Sequence, residues 1–136
     1  MRIDLTSEPR LLQILRGVVR CRALEAGVPE PEAERLALAV SEAAANVIRH
    51  TYGGREDARL ALEIRTFPDR LEFVLEDWGP KVCLDQIRHR PLDDVRPGGL
   101  GTYFMNCFMD DCSYDPDFAE GNRLRMIKYR QREVAH

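Results

Sequence analysis

Apolar residues recur at two different spacings along the chain, and the spacing predicts which segments form helices and which form strands. Two stripes with helical spacing come first. One lies between Ser7 and Gly27 and contains Leu11, Leu12, Leu15, Val18 and Val19. The other begins at Pro31, ends at Gly53-Gly54 and contains Leu36, Val40, Ala43 and Val47. We therefore expect two consecutive helices, with Ser7 as the N-cap of the first.

Alternation of apolar and polar residues follows the two helices and predicts a β-hairpin. Residues 58–65 alternate, residues 67–70 form a turn, and residues 71–76 alternate again. The pattern predicts one sheet face covered by helices (Leu71, Phe73 and Leu75) and one face exposed to solvent (Arg70, Glu72 and Glu76). Shorter strands are predicted at Arg2–Leu5, Cys112–Tyr114 and Asn122–Arg130.

A glycine cluster at residues 98–101 is predicted to begin a third helix, with an apolar face that includes Tyr103, Phe104 and Phe108. Residues 80–97, just before it, have no clear period and are predicted to form a lid. Three helices on one face of about five strands, in a mixed and mostly antiparallel sheet, make an α+β two-layer sandwich. We expect a single domain over residues 1–136.

The composition is that of an ordinary globular domain and excludes several classes of function. The 136 residues are 44% hydrophobic and 32% charged, with a net charge of −3. This acidity argues against nucleic acid as the main partner. The four cysteines lack the spacing of a zinc site, and we expect reduced thiols. With neither a signal peptide nor an apolar stretch long enough to span a membrane, a cytoplasmic location is expected.

The second helix carries a set of polar residues that could do chemistry. Glu42, Asn46 and His50 are four apart, so they are expected on one face, beside alanines that let another element approach closely. Asn46 offers a neutral oxygen suited to Mg²⁺, and Glu42 could accept a proton from a hydroxyl. Arg49, one turn after Asn46, could neutralise a phosphate. On this helix alone a solvated edge is the better interpretation, because clustered polar residues are often structural.

Asp77 and the glycine cluster change that interpretation. Asp77 continues the inward parity of the strand before it, and a buried carboxylate needs a partner. It could cap a turn, or accept the amino group of a flat ligand. Gly79 would let either such a ligand or another backbone segment come near. Gly98, Gly99, Leu100, Gly101 and Thr102 would leave backbone N–H groups free for an anion at a helix start. One purine nucleotide with Mg²⁺ accounts for all three features.

In this order the motifs resemble the GHKL ATPase superfamily, and most closely its small anti-sigma-factor serine kinases. Three motifs and the start of the last strand match, namely Ser41–Tyr52 (the N-box), Glu76–Pro80, Arg96–Gly101 and Gly121–Leu124. The likeness runs from about Leu5 to Arg130. It implies a Bergerat ATP-binding fold and Mg-ATP as the phosphoryl donor. It also implies a serine on an anti-anti-sigma (STAS) protein as acceptor, a sigma factor as a further partner, and a homodimer.

The resemblance also implies a role for individual residues. Glu42 would be the general base, Asn46 the Mg²⁺ ligand and Asp77 the adenine anchor. The expected nucleotide-binding residues are Asn46, Arg49, His50, Asp77, Gly79, Gly98, Gly99, Leu100, Gly101 and Thr102. The chain departs from the family in having Lys81 where a second glycine often stands, and in lacking an arginine directly beside Gly98; Arg96 is the nearest.

Two other functions fit parts of the pattern. A nucleotide-binding module that sequesters a partner without phosphorylating it would also keep Asn46, Asp77 and the glycines, but the presence of Glu42 favours the kinase. A histidine-kinase catalytic fragment is disfavoured by the short lid and by the lack of a dimerisation and phosphoacceptor segment before Leu5.

Overall fold

The computed structural model describes residues 1–81 and 108–130. In chain order the elements are β1 (Arg2–Thr6), a 3₁₀ turn (Pro9–Leu11), α1 (Leu12–Glu25), α2 (Glu30–Asn46), a π turn (Val47–Thr51), β2 (Arg59–Thr66), β3 (Arg70–Asp77), β4 (Asp111–Tyr114) and β5 (Asn122–Tyr129). Most of the predicted lid and the start of the predicted third helix fall in residues 82–107, outside the described residues. Phe108, which is described, is helical.

The five strands form one sheet in the order β1-β2-β3-β5-β4. All four pairings between the described strands are antiparallel. The described strands therefore include no parallel pair, which the predicted mixed sheet would contain. β1, a predicted strand, lies at one edge of the sheet. The α+β sandwich is confirmed, with two complete helices in the described part of the chain.

The core lies between the two helices and one face of the sheet. Rows of opposed residues cross the central strands, because directly opposed residues of antiparallel strands point to the same face. Leu62, Leu75 and Leu124 make one such row, and Ile64, Phe73 and Met126 make the next. These side chains pack against buried residues of α1 and α2, among them Leu15, Val19, Leu36, Val40 and Ala44.

The opposite face of the sheet is not the solvent-exposed surface that the alternation predicts. Glu72 and Glu76 do point to that face, but their exposure is only 2% and 5%. Arginines of the same sheet cover them: Arg70 of β3 and Arg125 of β5 bind Glu72, and Arg2 of β1 and Arg123 of β5 bind Glu76. The long aliphatic part of an arginine can shield a carboxylate while its charged group pairs with it. Polar residues in alternation therefore predicted the correct face but the wrong degree of burial.

The end of the second helical segment agrees with the prediction from the sequence, whereas the start of the first helix does not. Gly53 and Gly54 have φ values of +59° and +86°, a conformation that glycine adopts readily, and they end the second helical segment as predicted. Ser7 is not an N-cap. Its buried hydroxyl instead donates to the carbonyl oxygen of Arg55 and accepts the N–H of Ala58 at 3.1 Å.

Candidate functional site

The last turns of α2 bring three of the predicted site residues together. Nη2 of Arg49 donates to Oδ1 of Asn46 at 3.0 Å and lies 4.0 Å from Oε2 of Glu42. The side chain of Glu42 is 27% exposed and that of Arg49 is 44% exposed, so the group can be reached from solvent. One face of this helix therefore presents a carboxylate, an amide oxygen and a guanidinium close together, with the guanidinium hydrogen-bonded to the amide oxygen.

After Asn46 the helix widens into the π turn, which the four-residue spacing of the sequence did not predict. The N–H of Tyr52 donates to the carbonyl oxygen of Val47, five residues earlier, at 2.9 Å. Each residue of such a turn advances through a smaller angle than in an α-helix. His50 is consequently displaced around the axis from Glu42 and Asn46, and it is exposed. Its predicted contact with a nucleotide remains a prediction.

Asp77 ends β3 on the helix side of the sheet, with an exposure of 3%. Its Oδ1 accepts the N–H of Gly79 at 3.0 Å and the side-chain amide of Asn122 at 2.9 Å. Burial raises the pKa of Asp77 above its ordinary value of 3.8, and the hydrogen bonds from Asn122 and Gly79 oppose that rise. The carboxylate is thus held in one orientation by the turn that follows it and by β5, which is paired with β3.

Tyr52 joins the end of the helical segment to the turn that follows Asp77. Its hydroxyl accepts the N–H of Trp78 at 2.8 Å and donates to the carbonyl oxygen of Arg59 at 2.6 Å. Gly79 lies so near that a Cβ added there would be 2.3 Å from Cγ2 of Thr51 and 3.1 Å from Cε1 of Tyr52. Glycine is required at this position by the close approach of two segments, as the sequence suggested in more general terms.

Trp78 packs at the outer edge of this turn. The guanidinium of Arg59 lies 4.1 Å from the centre of its ring, and the ring of Phe118 meets it edge-on at 6.3 Å. Nε1 of Trp78 donates to Glu120 at 3.3 Å. Lys81, which stands where the family often has glycine, donates from Nζ to the carbonyl oxygen of Phe118. The segment between β4 and β5 is therefore packed against the turn after Asp77.

The glycine cluster from Gly98 to Thr102 lies outside the described residues, as does Arg96. The structure therefore does not place the predicted phosphate-binding backbone, and these residues remain predictions. A cavity of about 530 Å³ opens on the opposite face of the sheet among Arg2, Glu76 and Arg123. It is separate from Asp77, which points to the helix side.

Two residues at this site have no role that the sequence predicts. Asn122 shares the inward parity of Leu124 and Met126, so its face was predictable, but its place directly opposite Asp77 depends on strand register. Tyr52 was part of the N-box resemblance. Its bridge to Trp78 depends on the π turn, for which no residue pattern gave a signal.

The donor set fits Mg²⁺ held mainly by phosphates rather than by a protein cage. Within residues 1–81 and 108–130, no group of three or more histidine, cysteine or acidic side chains is arranged to hold a metal ion. Mg²⁺ usually keeps several waters and takes one or two protein oxygens beside those of a phosphate. Oδ1 of Asn46 is such an oxygen, and Arg49, which now donates a hydrogen bond to it, would have to move toward the phosphates for the ion to bind there.

Comparison with known proteins identifies the family. The histidine kinase-like ATPase domain matches residues 5–128, which is nearly the whole chain. The chain belongs to this family. Among its relatives is the serine-protein kinase RsbW of Halalkalibacterium halodurans, which is 31% identical over 86% of this chain and 77% of that protein. RsbW of Bacillus subtilis is 29% identical over 90% of this chain and 81% of its own length.

These comparisons confirm two predictions, namely membership of the GHKL superfamily with a likeness to its anti-sigma kinases, and the enzyme class of an ATP-dependent protein serine kinase. An ATP-binding domain is implied by the family itself. No helix in the described part of this family member is long and apolar enough to cross a membrane.

Proposed function

We propose that this protein is an anti-sigma-factor serine kinase, which binds Mg-ATP and phosphorylates a serine of an anti-anti-sigma (STAS) partner. One observation carries the proposal beyond the family match. The helix end with Glu42, Asn46 and Arg49 is tied through Tyr52 to the turn that follows the buried Asp77. Arg49, which would bind the phosphates, and Asp77, which would accept the amino group of adenine, thus belong to one connected unit.

In this proposal Asp77 accepts the amino group of adenine, and Gly79 belongs to the turn that the ring contacts, while its missing Cβ leaves room for Thr51 and Tyr52. Asn46 and Arg49 face the phosphates, together with His50 and the backbone from Gly98 to Thr102. Bound Mg²⁺, with Asn46 as its protein ligand, supplies charge neutralisation at the phosphates. In phosphoryl transfer the protein acts mainly by positioning groups and by stabilising charge.

Glu42 takes the proton of the acceptor serine. The serine oxygen forms a bond to the γ-phosphorus while the bond from that phosphorus to the oxygen of the β-phosphate breaks. ADP leaves and phosphoserine remains. General-base catalysis of this kind contributes roughly 10²–10⁴ in rate. The 27% exposure of Glu42 leaves it open to a second protein.

The same proposal includes a sigma factor as a further partner, a homodimer as the working form and the cytoplasm as the location. The exposed faces of β1 and α1 are the surface we assign to the dimer. Sedimentation of the purified chain, alone and with a STAS protein and a sigma factor, measures these associations directly.

The test of the kinase is the Glu42→Gln variant. We expect unchanged ATP affinity, followed by the emission of Trp78, which is the only tryptophan. Transfer of labelled phosphate to a STAS protein should fall about 10²–10⁴-fold. Glu34→Gln, on the same helix with a side chain 54% exposed, is the matched control and should keep full transfer.

Three outcomes separate the possible functions. Wild-type protein that binds ATP but phosphorylates no STAS protein would support the alternative of a binding module that sequesters its partner. Equal transfer by Glu42→Gln and wild type would remove Glu42 from its role. A folded sample that takes up no ATP in the presence of Mg²⁺ would overturn the proposed function as a whole.

A further inference from the structure

Tyr52 links the helical segment that carries Glu42, Asn46 and Arg49 to the turn after Asp77. Its side chain lies at the end of the π turn, and its hydroxyl reaches two backbone groups: the N–H of Trp78, just after β3, and the carbonyl oxygen of Arg59, at the start of β2. Distances of 2.8 and 2.6 Å make both of these good hydrogen bonds.

The π turn explains why Tyr52 can make this bridge. The N–H of Tyr52 bonds to Val47 and that of Gly54 bonds to Ile48, so the chain is held at both ends of the widened turn. Such turns commonly mark functional sites, because they redirect the side chains that follow them. Here the redirected residues are Thr51 and Tyr52, and both of them contact the position of Gly79.

Asp77 needs an external constraint of this kind. Its Oδ1 accepts the N–H of Gly79, so a shift of residues 77–79 would also shift the carboxylate. Asn122 holds the carboxylate from the β5 side. Tyr52 holds the same turn from the helix side and fixes its distance from Asn46 and Arg49.

We propose that Tyr52 is a positioning residue for purine recognition, which sets the turn at residues 77–79 at the correct distance from the phosphate-facing end of α2. The inference rests on the proposed function. Tyr52 acts through the turn and not on the reacting atoms. Its removal therefore weakens binding of the adenine amino group and leaves the chemical step intact.

The experiment compares Tyr52→Phe with wild type, using two nucleotides in the presence of Mg²⁺. Phenylalanine keeps the ring against Gly79 but leaves the N–H of Trp78 without its partner. The carbonyl oxygen of Arg59 loses its donor as well, at the exposed end of the hydroxyl. We expect affinity for ATP to fall about tenfold, mainly through loss of the part-buried hydrogen bond to Trp78. Affinity for purine riboside triphosphate, which lacks the 6-amino group, should change less than about twofold. KM for ATP should rise while kcat stays within about twofold.

Tyr129→Phe is the control, because Tyr129 is 55% exposed and lies at the far end of β5. It should leave both affinities unchanged. Equal weakening of the two nucleotides by Tyr52→Phe would show a general structural role and would overturn the inference. So would an unchanged ATP affinity. Failure of the wild type itself to bind ATP would instead overturn the proposed function.

If Tyr52→Phe does not fold, a second pair of variants tests the neighbouring contact between the same helical segment and the same turn, that of Thr51 with Gly79. Gly79→Ala places a Cβ 2.3 Å from Cγ2 of Thr51, and Thr51→Ser removes that methyl group. We expect Gly79→Ala to weaken ATP binding and the double variant to recover part of it. No recovery would mean that the alanine acts on the ligand directly and would count against the helix-to-turn contact.

Discussion

At the scale of single residues, Asp77 shows a conflict between stability and function. It is a carboxylate with 3% exposure, and its neighbours Gly79 and Asn122 both donate to the same oxygen, Oδ1. Burial raises its pKa, so the folded chain holds this proton more tightly than the unfolded chain does. A residue that is costly to bury is expected where a ligand uses it.

The Asp77→Asn variant separates the two effects. The raised pKa means that the contribution of Asp77 to stability is fully present below its unfolded pKa, near 3.8, and is lost as pH rises through the folded-state pKa. We expect the variant to gain stability relative to wild type over that window in urea unfolding at several pH values. Its affinity for ATP should fall about 10- to 100-fold, because an amide replaces the charged acceptor.

Asp57→Asn is the control for this prediction. Asp57 has a side chain 79% exposed, and its hydrogen bond from Arg55 lowers its pKa. Asp57→Asn should therefore lose stability relative to wild type as pH rises, which is the opposite of Asp77→Asn. Its affinity for ATP should be unchanged. Asp77→Asn protein that binds ATP as well as wild type would contradict the assignment of the base-binding carboxylate.

Single-residue chemistry was the part of the site that sequence predicted best. Parity along β3 placed Asp77 inward, and helical spacing brought Glu42, Asn46 and Arg49 together. Parity could not predict which residue lies opposite Asp77, since register depends on the whole sheet. It also treated outward glutamates as solvated, because alternation along one strand carries no information on which arginines of the sheet lie over them.

At the scale of elements, the site depends on how closely strand ends and helix ends approach one another. Gly121, just before β5, is the clearest case. A Cβ added there would lie 2.0 Å from the carbonyl oxygen of Asp77 and 2.7 Å from Cα of Trp78. Backbone atoms cannot rotate away as side chains do, so the pairing of β3 with β5 near Asp77 requires glycine at this position.

We therefore expect Gly121→Ala to lower the free energy of unfolding by about 3 kcal/mol, as for a severe local overpacking. Gly17→Ala is the same chemical change in the middle of α1, where a Cβ would meet no atom within 4 Å. It should raise stability by about 0.5–1 kcal/mol, because alanine favours the helix. Urea unfolding of both variants measures the contrast, and equal effects would contradict it.

The element-scale features also mark where sequence prediction stopped. Helical and alternating periods identified both long helices and all five strands, since each period follows from burial of one face. The π turn after Asn46 changes the direction of only a few residues and has no period of its own. Its consequences, the displaced His50 and the bridging Tyr52, therefore had to come from the structure.

At the scale of the whole molecule, the proposed nucleotide would connect segments that lie far apart in the chain: the end of α2, the end of β3 and the glycine cluster from Gly98 to Thr102. A ligand that binds such a combination binds only the folded chain, since the unfolded chain does not hold these segments together. Ligand binding must then raise the free energy of unfolding by mass action. The size of the rise reports all the segments at once.

With Mg-ATP at about 100 times its Kd, the rise should be about 2.7 kcal/mol, or roughly 10 °C in melting temperature for a domain of this size. Asn46→Ala and Asp77→Asn each remove one end of the site and should lose most of the shift, whereas Glu34→Gln should keep it.

Excess EDTA should reduce the shift in wild type, because Asn46 is expected to act through Mg²⁺. GTP, which presents a carbonyl oxygen to Asp77 in place of an amino group, should give little shift. A full shift with GTP, or with Asp77→Asn and ATP, would mean that the base is bound elsewhere and that the segments do not act together.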